Sequence, residues 1–221
     1  MTQSIHVFDL DETLIAGDSA VLWHEYLVEK GVISDPDFLQ EDARQMELYA
    51  AGTQDMGDYL DFAMLPLLEV PKIKLESLAS HFVTERILPI FYPEAKSLLE
   101  EIDQTGEPRV LISATVDYLV QVVATALGFK TAFGIELEQE NGFFKGNMIG
   151  IPTFREGKVK KFEHWLTQNP ELTQHKVEFY SDSINDKPMC VRADSAFAVN
   201  PCAQLEIEAN SNGWKILSWR L

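Results

Sequence analysis

The chain has 221 residues, 46% of them hydrophobic, enough for one substantial core or for one core with an inserted subdomain. Its 35 acids against 18 bases give a net charge of -17, which argues against nucleic acid or an anionic membrane surface as partner, since both need clustered Lys and Arg. No segment reaches the length needed to span a membrane, and Met1-Thr2-Gln3-Ser4 lacks the basic and apolar regions of a signal peptide, so a soluble cytoplasmic protein is expected.

The apolar run from Ile5 to Asp9 predicts a short buried strand. Helical patterns follow over Ser19 to Glu29, Asp37 to Tyr49, Asp55 to Leu68 and Lys72 to Ile87. Gly31, Asp35-Pro36, Ala51-Gly52-Thr53 and Val70-Pro71 punctuate them, and Pro36 and Pro71 each suit the first turn of a helix. Beyond this block the pattern changes. Pro93 to Gln104 predicts a helix, Val110 to Ser113 a strand, and Val116 to Leu127 a helix ended by Gly128. Phe133 to Ile149 reads as a hairpin around Asn141-Gly142. Glu156 to Thr167 predicts a helix, Val177 to Tyr180 and Phe197 to Val199 strands, Cys202 to Ala209 a helix and Ile216 to Trp219 a last short strand.

Strand alternating with helix predicts an α/β fold, a doubly wound parallel sheet with helices on both faces. The helical block interrupts that alternation after the first strand. The expected division is a core of residues 1–15 and 89–221 and a helical cap of residues 16–88, set over the sheet's carboxyl edge, where such folds bind ligands.

Four stretches end a predicted strand or begin the next helix: Asp9-Leu10-Asp11-Glu12-Thr13, Leu111-Ile112-Ser113-Ala114-Thr115, Gly157-Lys158, and Tyr180-Ser181-Asp182-Ser183-Ile184-Asn185-Asp186. Strand ends converge in a doubly wound sheet, so one pocket is expected to gather four carboxylates, a hydroxyl and an ammonium. Hard carboxylate oxygens, with room for water and phosphate oxygens, suit Mg²⁺. For each group there is a plainer reading: a surface turn for Asp9 and Asp11, a helix cap for Ser113, solvent exposure for Lys158, loop caps for Asp182 and Asp186.

The four motifs, in this order and with a helical insert after the first, resemble the haloacid dehalogenase superfamily of phosphohydrolases and its phosphoserine-phosphatase-like branch. The resemblance covers the whole chain. It implies a Rossmann-like core with a helical cap and Mg²⁺ as cofactor. It also implies hydrolysis of a small phosphate monoester through an aspartyl-phosphate. By that resemblance Asp9 is the nucleophile, and Asp11 is the general acid and later the base. Asp9, Asp182 and the backbone carbonyl of Asp11 hold the metal, Ser113 and Lys158 hold phosphate oxygens, and Asp186 positions Lys158 and the metal's water shell. Ala114 and Asn185 lie beside the substrate. Asp11 separates the chain from haloacid dehalogenases and transport ATPases, which have no aspartate two residues after the nucleophile.

Two departures from phosphoserine phosphatases bear on the substrate. The second motif reads Ser113-Ala114-Thr115 rather than Ser-Gly-Gly. Asp18 stands where those enzymes have a Glu for the substrate ammonium, and only Arg44 and Arg86 in the cap are available for a carboxylate. The variant resembles sequences linked to histidinol phosphate hydrolysis, which makes histidinol phosphate the expected substrate and phosphoserine the alternative. A non-catalytic phosphate-binding or phosphoacceptor protein of the same fold is the reading from another class. A second role for Asp18 is to cap the helix from Ser19. His6 reads as a satisfied core histidine. Trp23 and Tyr26 read as cap core, with pocket lining as the alternative for them and for His24. Cys190 and Cys202 fit no metal or redox spacing.

Overall fold

Five successive buried residues, Ser4–Phe8, form strand β1 at the centre of the molecule, in a computed structural model that describes residues 3–51, 53 and 55–221. After it come helices α1 (Ser19–Glu29), α2 (Phe38–Ala50), α3 (Met56–Met64), α4 (Lys72–Phe82) and α5 (Pro93–Thr105). Then follow β2 (Arg109–Val116), α6 (Asp117–Ala126), β3 (Thr131–Ile135), β4 (Leu137–Glu140), β5 (Phe143–Met148), α7 (Glu156–Gln168) and β6 (Lys176–Ser181). The chain closes with α8 (Lys187–Arg192), β7 (Ser195–Val199), α9 (Ala203–Asn212) and β8 (Lys215–Leu217). Among the described residues no helix is long and apolar enough to cross a membrane.

Six strands make one parallel sheet in the order β3-β2-β1-β6-β7-β8. Alternation along the strands sends Ile5, Val7, Ile112 and Phe179 to one face, against Phe162 and Leu166 of α7 and Leu205 of α9. Phe8, Leu111 and Tyr180 face the other side, against α5, α6 and the helices that follow β1. There Tyr180 stacks on Phe8 and on Phe197, with ring centroids 4.5 Å apart in both pairs. From β1 the chain builds outward to β2 and β3, then returns to the opposite flank with β6. The reversal opens a crevice beyond the carboxyl ends of β1 and β6, where open α/β sheets bind ligands.

The parallel α/β sheet, with a helical cap inserted after its first strand, matches the expected class, and α1 spans the expected residues. The Asp18 carboxylate caps α1 by accepting from Ala20 N (2.9 Å) and Val21 N (3.0 Å). His6 is buried as expected but only half satisfied: its Nε2 bonds Glu107 at 3.1 Å, while its Nδ1, 3.3 Å from Glu178, makes no hydrogen bond among the described residues. Cys190 and Cys202 are free thiols, one buried and one exposed.

Several elements depart from the expectation. The hairpin expected from Phe133 begins only at Leu137, because Thr131–Ile135 joins the main sheet beside β2. A Cβ at Gly134 would sit 2.6 Å from Asp117 Cα and 2.7 Å from the Thr115 carbonyl, so only glycine lets β3 lie this close. The helix expected over Asp55 to Leu68 gives way after Met64 to a 3₁₀ turn, Leu65–Leu67, in which Pro66 has no N–H to continue the α pattern. The helix expected over Lys72 to Ile87 becomes a π turn over Val83–Ile87. Pro36 and Pro71 stand just ahead of α2 and α4 rather than inside them. The strand around Val110 runs on to Val116, carrying Ala114 and Thr115 with it. The last strand stops at Leu217, and Trp219 packs edge-on to Tyr92 at 6.2 Å instead. Gly52 of the expected linker and the first two residues lie outside the described residues.

Candidate active site

β1 delivers Asp9 into the crevice, its N–H still held by the Tyr180 carbonyl at 3.0 Å. The chain then turns sharply, with Glu12 at a positive φ of 54° and its N–H on the Gly17 carbonyl at 3.1 Å. The turn folds Thr13 back beneath the first acid. Thr13 Oγ1 lies 3.4 Å from Asp9 Oδ2 and 3.2 Å from Asp182 Oδ1, and it accepts from Asp182 N at 3.0 Å. One hydroxyl therefore ties the end of β1 to the end of β6.

Lys158 enters the site from the first turn of α7. A Cβ on the preceding Gly157 would lie 1.8 Å from the Pro152 carbonyl, so glycine is required for α7 to start here. The Lys158 side chain is 2% exposed, and its Nζ donates to Asp9 Oδ1 at 2.6 Å and Asp186 Oδ2 at 2.7 Å. Ser181 Oγ donates to the same Asp186 oxygen at 2.8 Å. Burial opposes the lysine's charge, but Asp186 and Asp9 outweigh it and hold the ammonium well above the ordinary lysine pKa. The solvated reading of Lys158 does not hold.

Asp11 has a separate set of partners. Its Oδ1 accepts from Ser19 N at 2.6 Å, and its Oδ2 accepts from Ser113 Oγ at 3.2 Å and Thr115 Oγ1 at 3.1 Å. Burial, with repulsion from Asp18, pushes its pKa up to about 6 despite those bonds. Sequence reasoning did not assign roles to Thr13, Thr115 or Ser181. All three lie inside the motif stretches read from the sequence, and that membership is the signal that could have found them.

Asp9, Asp11, Asp18, Ala114 and Asp182 border one cavity of about 340 Å³ between the crevice and the cap. Ser113, Lys158 and Asp186 lie behind that wall, fully or nearly fully buried. Asn185 is buried to one side, where its Oδ1 accepts from Arg155 Nε at 3.3 Å. Neither cap arginine borders the cavity: Arg44 donates to Glu41 at 2.8 and 2.6 Å, and Arg86 pairs with Glu29. Trp23 and Tyr26 stack on each other and pack on Phe82 of α4, Trp23 also reaching α6, where its Nε1 donates to Tyr118 at 2.9 Å, and His24 pairs with Asp42 at 2.9 Å. A larger cavity of about 670 Å³ lies between α4, α6 and the β4–β5 hairpin, but none of the motif residues borders it.

Among the described residues no group of three or more His, Cys, Asp or Glu side chains is arranged to hold a metal ion. Two carboxylates, Asp9 and Asp182, do meet, on Thr13. Burial, only partly countered by Lys158, pushes Asp9 up to about 7, with Asp186 and Asp11 adding to the rise; burial and the charges of Asp9 and Asp186 push Asp182 well above the carboxylate range. Two hard oxygen donors that repel each other, beside backbone carbonyls and an open cavity, fit a Mg²⁺ ion that keeps several waters.

These shifts carry a pH signature. A carboxyl whose pKa is raised by folding binds its proton more tightly when folded, so it weighs against the fold as pH climbs above its unfolded value of about 3.9. Asp9, raised to about 7, contributes this penalty over the window from about pH 4 to about pH 7. Metal-free Asp9→Asn protein is therefore expected to gain stability over the metal-free parent across that window. Calorimetry in chelator checks this, and a gap that stays constant or narrows with pH contradicts it.

Residues 6–190 match the model of the haloacid dehalogenase-like hydrolase family, and the chain belongs to that family. It is a hydrolase, a phosphatase of a family whose members generally require Mg²⁺. It is 33% identical to a histidinol-phosphatase of Neisseria meningitidis, over 99% of this chain and 100% of that protein. It is 28% identical to a phosphoserine phosphatase of Mycobacterium tuberculosis, over 97% of this chain and 70% of the other. A crystal structure of a protein of unknown function from Bordetella pertussis superposes with a TM-score of 0.88 at 27% identity, covering 98% of this chain and 99% of that one.

Proposed function

We propose that the protein hydrolyses a small phosphate monoester whose alcohol half carries a positive nitrogen and no carboxylate, with histidinol phosphate as the best candidate. In this reading residues 16–88 act as the cap that covers the site. Asp9 attacks phosphorus, forming an aspartyl-phosphate as the ester P–O bond breaks, and Asp11 gives its proton to the departing alkoxide. Asp11 then takes a proton from the water that attacks the phosphoenzyme, releasing phosphate and restoring Asp9. Lys158 and the Ser113 hydroxyl hold phosphoryl oxygens, Asp186 keeps Lys158 aimed, and Ala114 and Asn185 border the transferring group. Asp9, Asp182 and the Asp11 carbonyl would hold Mg²⁺, with Asp186 ordering its waters, and the ion supplies positive charge against the phosphoryl oxygens. A half-protonated Asp11 near pH 6 supports the acid and base roles, as Brønsted behaviour favours a pKa near the working pH.

The substrate reading is carried by the cavity lining, which among the described residues includes Asp18 and Glu12 but no Arg, Lys or His. An alcohol bearing a carboxylate would meet acids and neutral side chains there, with no cation to pair it. The Neisseria relative supports the same choice. The phosphoserine reading is favoured by the Mycobacterium relative at 28% identity. Phosphate release from both esters, at matched concentrations with Mg²⁺, separates the two. The expected result is faster turnover of histidinol phosphate, and a strong preference for phosphoserine reverses the substrate reading. Chelation and dialysis should remove activity and added Mg²⁺ should restore it. Full activity without the ion would discard the metal role, and no release from any ester would leave the binding-protein reading.

A further inference from the structure

We propose that Tyr59, on cap helix α3, is a specificity residue whose phenolic oxygen accepts a hydrogen bond from the positive N–H group of the substrate's alcohol half. The inference rests on the phosphatase reading above and adds a named contact to it.

Tyr59 is 7% exposed and borders the 340 Å³ cavity together with Asp18, Asp11, Met46 and Met56. Its hydroxyl is buried and has no hydrogen-bond partner among the described residues. Burying an unsatisfied hydroxyl costs about 1–3 kcal/mol, and native proteins seldom tolerate one without a reason. The same fold satisfies comparable groups: Tyr118 accepts from Trp23 Nε1 at 2.9 Å, and Tyr180 donates to Glu178 at 3.2 Å. A phenylalanine at position 59 would pack the same ring with no orphaned atom. The hydroxyl therefore points to a partner that the chain itself does not supply.

The charges around it say what that partner is. Asp18, Asp42 and Asp11 all act on the phenol, which burial and these acids keep protonated far above the ordinary tyrosine range. Asp42 is committed to His24, and Asp11 to Ser19, Ser113 and Thr115. Asp18 spends Oδ1 on both cap bonds, which leaves Oδ2 without a partner among the described residues. Of the acids acting on the phenol, only Asp18 thus keeps a free acceptor, Oδ2, beside Tyr59 Oη. A donor that satisfies a carboxylate and a phenol oxygen together is an ammonium or imidazolium N–H. The phosphate end of the substrate would lie at Asp9 and the cationic end under α3.

Tyr59→Phe removes only the oxygen and keeps the ring, so the variant tests the contact without emptying the cap. Kinetics would be run with histidinol phosphate and aminoethyl phosphate as cationic esters, and with p-nitrophenyl phosphate and hydroxyethyl phosphate as uncharged-alcohol controls. The expected result is a KM about tenfold higher for a cationic ester, a loss of about 1.4 kcal/mol, with kcat and both controls close to wild type. The melting temperature should stay level or rise, because an unpaired buried hydroxyl has gone. Equal changes for all four esters would assign Tyr59 to cap packing, and no change for any would assign the hydroxyl to a water; either overturns the proposal. Wild-type protein that hydrolyses the controls but no cationic ester overturns it as well. Wild-type protein inactive on all four defeats the phosphatase reading itself, a failure visible before any variant is made.

Discussion

Asp9→Asn protein is expected to fold, to melt no lower than the parent, and to release phosphate at least about 10⁴-fold more slowly, the scale on which loss of a covalent nucleophile acts. The amide is nearly isosteric but a poor nucleophile. It also removes one charge from a cluster in which Asp9, Asp11, Asp182 and Asp186 already repel one another. Asn can still accept from Lys158 Nζ, now 2.6 Å from Asp9 Oδ1, so the lysine keeps both neighbours. Steady-state phosphate release beside a thermal melt gives both readings in one preparation. Wild-type turnover by this variant would rule out the covalent route through Asp9.

Lys158→Met should injure stability as well as activity. The ammonium is the charge that holds Asp9 and Asp186 together, and its side chain is 2% exposed against 9% and 3% for theirs. Taking one partner from a buried pair leaves uncompensated charge and costs roughly 3–5 kcal/mol. For a chain of this size that corresponds to a melting temperature lower by roughly 6–20 °C. Activity should fall with it, since the proposed phosphate holder is gone. Adding Asp9→Asn to Lys158→Met should recover part of the stability and none of the activity. If Asp9→Asn raises the melting temperature of Lys158→Met by no more than it raises that of the parent, the groups are not coupled as their distances require.

The acids of this cluster were legible in the sequence because each sits at a strand end that hydrophobic patterning marks. Asp9 ends a five-residue buried run, and Asp182 and Asp186 follow another. The fold class followed from the alternation of strand and helix, and α1 from the Asp18 cap. β3 was not separable from the hairpin, because Phe133-Gly134-Ile135 runs into an Asn-Gly turn signal and the space Gly134 needs is set by Asp117 and Thr115. The partners of Asp11 were equally hidden, since Ser19 and Thr115 meet it only once β2 and α1 are docked. Tyr59 carried no signal at all: it repeats at helical spacing with Met56, Leu60 and Ala63, and only the missing partner of its hydroxyl sets it apart.

The β4–β5 hairpin has a consequence for engineering. It belongs to the later half of the chain, yet Lys72 at the start of α4 donates its N–H to the Gly142 carbonyl at 2.9 Å and its Nζ to Gln139 at 2.8 Å. Gly146 of β5 faces Leu68 and Met64. The contiguous stretch 16–88 is thus not a self-contained module. A chimera that grafts those residues onto a related scaffold would leave the Lys72 N–H without its acceptor and the Lys72 ammonium with Glu76 alone, and would set Leu68 against a foreign loop. Exchange of substrate preference between relatives therefore calls for a two-piece transplant, in which residues 137–148 travel with the helices they clasp.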